Sequence, residues 1–319
     1  MNDIKVPKRI ENSIINALQG GVVPRVGLGY IAVGREQEIK ALLKDIEIIQ
    51  EGGSTFRFLT GDYGSGKTFL LQTIKEHVMA KGFVVADADL SPERSLVGTG
   101  NKKKGLATYR ELMKNLSIKT SPEGGALALI LDNWIDSMWM EAAKSISGGV
   151  SGLNLEKMVT DSILTTIMDM QVMVHGYDFS NMLIIYWKAY KAGDIETKAK
   201  ALRWLRGEYQ LKRDAKEDLG INNIINDGDW FDYIKIWSEF FKKINYNGFL
   251  IMIDEMINIY RYRNSATRYN NYETMLMMYN DALQGKAKSL GIIMGGTPKA
   301  LEDPVKGVFS YEALKSRLS

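Results

Sequence analysis

The chain has no cysteine in 319 residues. Disulfides, thiolate zinc sites and cysteine nucleophiles are therefore excluded. Histidine is almost as scarce, with only His77 and His175. His77 sits on a helical stretch and reads as structural. His175 sits in another, with no recognisable acidic or serine partner, which argues against a histidine-based triad or metal centre. No apolar run reaches the ~18 residues that a membrane helix needs. The opening segment, Met1 to Lys8, lacks the form of a signal peptide, so a cytoplasmic protein without membrane contact is expected. A strong charge of one sign is missing as well. The 41 basic and 38 acidic residues leave a net charge of +3, too little by itself to imply nucleic acid. No period of 20–50 residues repeats.

What is present is an ordinary globular composition, 45% hydrophobic and 25% charged, in a chain long enough for one large domain or two small ones. Within it lies Gly61-Asp62-Tyr63-Gly64-Ser65-Gly66-Lys67-Thr68-Phe69. A glycine, four residues and Gly-Lys-Thr form a phosphate-binding loop. The context fits, because a β-rich segment, Thr55 to Thr60, precedes it and helical apolar spacing follows from Phe69 to Val78. Glycines let backbone N–H groups curl around phosphate oxygens, and the helix N-terminus adds partial positive charge. Lys67 is expected to reach the β- and γ-phosphates of ATP, and Thr68 to offer its hydroxyl to Mg²⁺.

A second motif, Gly248-Phe249-Leu250-Ile251-Met252-Ile253-Asp254-Glu255, is a continuous apolar run ending in two carboxylates. Such a run reads as a strand buried on both faces of a parallel sheet. Alone, its alternative is a buried strand that happens to end in solvated acids. Beside a phosphate loop, Asp254 becomes a Mg²⁺ ligand and Glu255 the base that polarises the attacking water, as hydrolysis rather than mere nucleotide holding requires.

The rest of the chain divides into four stretches. Residues 1–50 carry two helices, one over 5–19 and a second entered through Val33 to Ile39 and running to about Ile49, with a loop opened by Pro24-Arg25 between them. Residues 51–105 hold the first strand, the phosphate loop, a second strand over 82–90 and a flexible basic loop over 98–105. Residues 106–245 read almost entirely as helices and contain all six tryptophans, which suits a helix-bundle core better than a ligand site. Residues 246–319 hold the Asp-Glu strand, a helical region over 256–288, a strand over 290–297 and a final helix. Strands alternating with helices predict a three-layer α/β core with a parallel sheet and a large helical insertion.

The order of Gly34-Arg35-x-x-Glu38, the phosphate loop, the Asp254-Glu255 strand, a strand ending at Thr297, and Lys315-Ser316-Arg317 resembles the AAA+ ATPases of the replication-initiator and helicase-loader branch. That resemblance implies that Gly34 and Arg35, with Pro24 and Arg25 before them, lie beside the adenine. It implies that Thr297 acts as sensor 1, although many relatives have asparagine there. It also implies that Arg317 is an arginine finger for a neighbouring subunit in a homo-oligomer; capping its own helix is the alternative. Longer phrases sharpen the resemblance: Asp87-Ala88-Asp89-Leu90-Ser91-Pro92-Glu93-Arg94, Leu202-Arg203-Trp204-Leu205-Arg206-Gly207-Glu208-Tyr209 and Tyr311-Glu312-Ala313-Leu314. With these the chain resembles the BrxD-type ATP-binding proteins of bacterial BREX phage-defence clusters. The resemblance implies a helicase or other defence protein as partner, and DNA contact through a C-terminal lid and winged helix that this sequence does not include; the Lys102-Lys103-Lys104 run makes the 101–104 loop a second route to DNA, with a mobile solvated loop as the alternative. Asp87 and Asp89 either couple partner binding to Glu255 or are plain strand-end acids. A nucleotide-gated scaffold, and a signalling NTPase acting on a protein without DNA, stay open beside the DNA-linked ATPase.

Overall fold

A computed structural model describes residues 6–20, 24, 36–98, 100, 102–145 and 152–318. Four parallel strands form its sheet, in the order β1-β4-β3-β2. They are β1 (Ser54–Thr60), β2 (Val84–Asp89), β3 (Phe249–Asp254) and β4 (Leu290–Gly296). Parallel neighbours need crossovers, and helices supply them. Before β1 run α1 (Lys8–Gln19) and α2 (Glu36–Gln50), and α3 (Lys67–Ala80) links β1 to β2. Between β2 and β3 come α4 (Lys104–Lys114), α5 (Leu127–Ser145), α6 (Gly152–Met168), α7 (Gly176–Ala192), α8 (Ile195–Leu205), α9 (Lys212–Leu219) and α10 (Trp230–Lys243). The short α11 (Ile257–Tyr260) and α12 (Ser265–Leu283) lead to β4, and α13 (Pro298–Glu302) and α14 (Glu312–Leu318) follow it.

The strand sequences account for this order. Every residue of β3 and β4 is buried, as befits the two central strands. Alternation then splits the apolar residues of β3 between two layers. Leu250 and Met252 join Ile46 and Ile49 of α2 and Leu70, Leu71, Ile74 and Val78 of α3 in one core. Phe249, Ile251 and Ile253 face the other way and merge with the core of the helices between β2 and β3. Edge strand β1 is more polar, and its Arg57 makes a bidentate bond to Asp45 of α2, at 2.6 and 2.7 Å. The three-layer α/β fold expected from the sequence is the fold observed.

The tryptophans are core residues. Trp204, Trp230 and Trp237 are almost completely buried, and Trp237 stacks on Phe241 and meets Phe179 edge-on. Two expectations need correction. The basic loop drawn over 98–105 is shorter, because Lys104 and Gly105 already belong to α4. His175 does have an acidic neighbour: Nε2 lies 3.8 Å from Asp232 Oδ2, and the ring stacks on Tyr233. It precedes α7 rather than lying within it, at φ 61°.

Candidate functional site

The C-terminal ends of β1, β4 and β3 are level. Thr60 pairs in register with Gly296, and Ile253 with Met294. Residues that follow these strands therefore gather at one edge of the sheet, where ligands of open α/β folds bind.

The phosphate loop follows β1. Its start is fixed to β4 by Gly61 N–H donating to Gly296 O at 3.2 Å. Gly66 caps α3 in the left-handed conformation, at φ 85°, which a side chain would strain. Among the described residues, no backbone acceptor pairs with the N–H groups of Gly64, Gly66, Lys67 or Thr68. Those donors, at the open end of a 14-residue helix, suit an anion. Lys67 Nζ donates to the carbonyls of Gly61 at 2.9 Å and Asp62 at 3.3 Å, and has no carboxylate partner among the described residues. Its charge is thus uncompensated within the loop. The Tyr63 ring, two-thirds exposed, lies 5.8 Å from that ammonium. Asp62 and Thr68 are also exposed, and Ser65 and Phe69 half-buried.

Asp254 ends β3 and is 7% exposed. Its Oδ1 accepts the Glu255 N–H at 2.7 Å, and Oδ2 has no protein partner among the described residues. The carboxylate lies against β4 at Gly295. A Cβ on Gly295 would stand 2.2 Å from Asp254 Oδ1, so only glycine leaves room for it. Glu255 is half-buried and adopts φ 64°, a left-handed conformation rare for glutamate. Backbone strain of this kind, about 1 kcal/mol, persists where neighbours enforce it. Here Met256 N–H bonds to Gly295 O at 3.0 Å, and Asn258 Nδ2 donates to Glu255 O at 3.3 Å and to Leu90 O at 2.8 Å. Among the described residues no group of three or more His, Cys, Asp and Glu side chains could hold a metal by itself. That suits Mg²⁺, which takes one or two carboxylates or hydroxyls and completes its shell with phosphate oxygens and water.

Asp89 pairs in register with Asp254 across the β2–β3 ladder. Desolvation, then the charges of Asp254, Glu255 and Asp87, hold the Asp89 carboxyl above its ordinary range, although its residue surface is open at the sheet edge. Asp87 is committed elsewhere, to Lys75 Nζ of α3 at 2.5 Å. A groove of about 1060 Å³ runs from Thr68 along α3, past this ion pair, to Glu111 and Asn115.

Thr297 follows β4 and is 7% exposed. Its Oγ1 accepts the Ala300 N–H at 3.3 Å, capping α13. Arg317 is exposed, and its Nη1 donates to Ala313 O of its own helix at 2.6 Å. Pro24 is buried, while Arg25, Gly34 and Arg35 lie outside the described residues, as does Asn101. His77 is structural, with Nδ1 2.8 Å from Thr73 O. Three participants escaped the sequence reading: Gly295, Asn258 and the Lys75–Asp87 pair. The glycine pair before Thr297 was the available signal for the first; the other two depend on contacts between distant segments.

Among the described residues, no helix is long and apolar enough to cross a membrane. No curated protein matches the chain. The sequence model of the BREX system ATP-binding protein BrxC/D family matches residues 6–319, nearly the whole chain, and the protein belongs to that family of phage-defence ATP-binding proteins.

Proposed function

We propose that the protein is a Mg²⁺-dependent ATPase that assembles with copies of itself and uses turnover to load or remodel a partner on DNA. One observation carries the reading. At one edge of one sheet, the N–H groups of Gly64, Gly66, Lys67 and Thr68 and the ammonium of Lys67, with no backbone acceptor and no carboxylate partner respectively among the described residues, stand level with an acid pair whose Asp254 lies against Gly295. A site that only held nucleotide would not need Glu255.

Bound ATP and Mg²⁺ supply the phosphoanhydride and the metal charge that neutralises its oxygens. The N–H groups of Gly64, Gly66, Lys67 and Thr68 orient the phosphates, and Lys67 leaves its two carbonyls to meet the β- and γ-oxygens. Thr68 Oγ1 and Asp254 Oδ2 are the groups that would hold the metal. Glu255, fixed at the strand end by its own backbone, takes the proton of the attacking water. Thr297, the buried polar residue just after the strand between the two motifs, senses the γ-phosphate. Arg317, free to leave its helix carbonyl, reaches a neighbouring subunit's γ-phosphate and stabilises developing charge there.

The test is a mixing experiment. Glu255→Gln is expected to keep ATP affinity and lower turnover on the order of a hundredfold or more. Arg317→Ala should also bind ATP and hydrolyse poorly. A mixture of the two should regain part of the activity, because some interfaces then combine an intact finger with an intact base. Turnover that survives in Glu255→Gln would remove its catalytic role. A mixture no more active than its components would confine Arg317 to capping α14.

A further inference from the structure

We infer that the protein carries a nucleic-acid phosphate-binding surface formed by Lys102–Lys104 and Arg261–Arg263. The inference rests on the DNA-linked ATPase reading above and gives it a site. The two segments are far apart in sequence. Lys104 Nζ joins them, donating to Tyr262 Oη at 2.9 Å and lying 4.8 Å from the centre of that ring. Around this contact stand Lys102, Lys103, Arg261 and Arg263, all exposed. None of the four side chains has an acidic or hydrogen-bonding partner among the described residues. The chain elsewhere pairs its cations freely: Lys75, Lys191, Lys198, Lys200, Lys235 and Lys243 each meet a carboxylate. With a net charge of only +3, leaving four cations together and unmatched is a local choice, not the overflow of a basic protein.

A buried charge below the surface points the same way. Arg268 is 5% exposed. Its Nη1 donates to Tyr262 O at 2.6 Å and Arg263 O at 3.3 Å, which fixes the course of the arginine segment. Its Nε has no partner, and no carboxylate within ion-pair distance accompanies it among the described residues. A buried guanidinium without an anion is costly. A polyanion laid across Arg261 and Arg263 would offset that cost. Charge complementarity thus selects a phosphate backbone as occupant.

The surface also reaches the catalytic edge. Only the four residues of α11 and Met256 separate Glu255 from Arg261. Asn258 of α11 ties Glu255 O to Leu90 O, on the segment that leads from β2 toward Lys102. Occupancy of the surface therefore bears on the backbone that positions Glu255, and nucleic acid should stimulate turnover.

The experiment measures fluorescence anisotropy of labelled 30-nucleotide DNA, single-stranded and duplex, against the full chain with ATP and Mg²⁺ at several salt concentrations. Four phosphate contacts predict a log–log salt slope of about −3 for single strands. Arg261→Ala/Arg263→Ala should weaken binding tenfold or more, roughly halve the slope, and abolish stimulation of ATPase activity. Binding of a fluorescent ATP analogue should be unchanged. Arg261→Lys/Arg263→Lys should keep most of the DNA affinity, separating charge from folding. DNA binding that survives the double alanine variant would overturn this site and leave the DNA-linked reading intact. Wild-type protein that binds no DNA at 50 mM salt would overturn both. Binding of a polyglutamate peptide, but no oligonucleotide, would make an acidic protein the occupant and refute the proposal.

Discussion

Replacing Gly295 by alanine probes the site through one methyl group. The added Cβ would stand 2.2 Å from Asp254 Oδ1 and 2.7 Å from its Cγ, where real contacts begin beyond 3.0 Å. The backbone cannot give way, because Gly295 lies in a fully buried strand paired on both sides. The Asp254 carboxylate must therefore swing out by almost 1 Å. An off-rotamer side chain costs about 0.5–1.5 kcal/mol. Losing the 2.7 Å bond from Glu255 N–H to an ionised acceptor costs about 1.5–3 kcal/mol. Together these put the destabilisation at about 2–4 kcal/mol, measurable by urea unfolding. The decisive comparison is the same substitution in an Asp254→Ala background. With the carboxylate gone, the nearest contact is the Asp254 Cα at 3.3 Å, which is tight but tolerable. Gly295→Ala should then cost less than 1 kcal/mol, a coupling of about 2 kcal/mol. Equal costs in both backgrounds would show that Gly295 is needed for some other reason. Gly295→Ala should also weaken the response to ATP–Mg²⁺ in the direction of Asp254→Ala, since pushing Oδ1 aside moves the whole carboxylate and with it the Oδ2 proposed to meet the metal.

Lys67→Ala should abolish the stabilisation by ATP–Mg²⁺, worth about 2.7 kcal/mol at a hundredfold excess over Kd; an unchanged melting shift would refute the role of the lysine. Asp87→Ala should destabilise the fold by about 3 kcal/mol, because Lys75, only 8% exposed, loses its carboxylate. Lys75→Met/Asp87→Leu should return to within about 1 kcal/mol of wild type, and a double variant as unstable as Asp87→Ala would show that the ion pair itself is required.

Much of the site was legible because its chemistry is local. Residues 61 to 69 must be contiguous for their N–H groups to converge on one anion, so sequence alone places them. The strand before Asp254 was legible for a different reason. A central strand is covered on both faces, and Phe249 to Ile253 has no polar residue to offer either layer. What escaped depends on register or on contacts between distant segments. That Gly295 lies against Asp254, and not against Ile253, follows from the pairing of β3 with β4. His175 and Asp232 meet because α7 and α10 pack together, and nothing local announces it. The basic loop was visible as a lysine run, and solvation was a sufficient explanation of it. Its juxtaposition with Arg261 and Arg263 is a property of the fold.

The arrangement of acids suggests how turnover is controlled. Asp89, Asp254 and Glu255 crowd one strand edge, and Asp89 holds its proton more tightly than a free carboxyl, first because it is desolvated and then because the other two are near. A metal at Asp254 would relieve that repulsion, so the site gains more from Mg²⁺ than a lone carboxylate could. Glu255 is fixed less by its side chain than by its backbone, which Asn258 and the bond from Met256 to Gly295 hold in a left-handed conformation. The base can therefore be moved by shifting α11, without any change in the phosphate loop. On the proposed reading, nucleotide binding at the β1 end of the sheet and hydrolysis by the segment after β3 would in this way be separable within one site. An ATPase that must wait for a partner needs that separation.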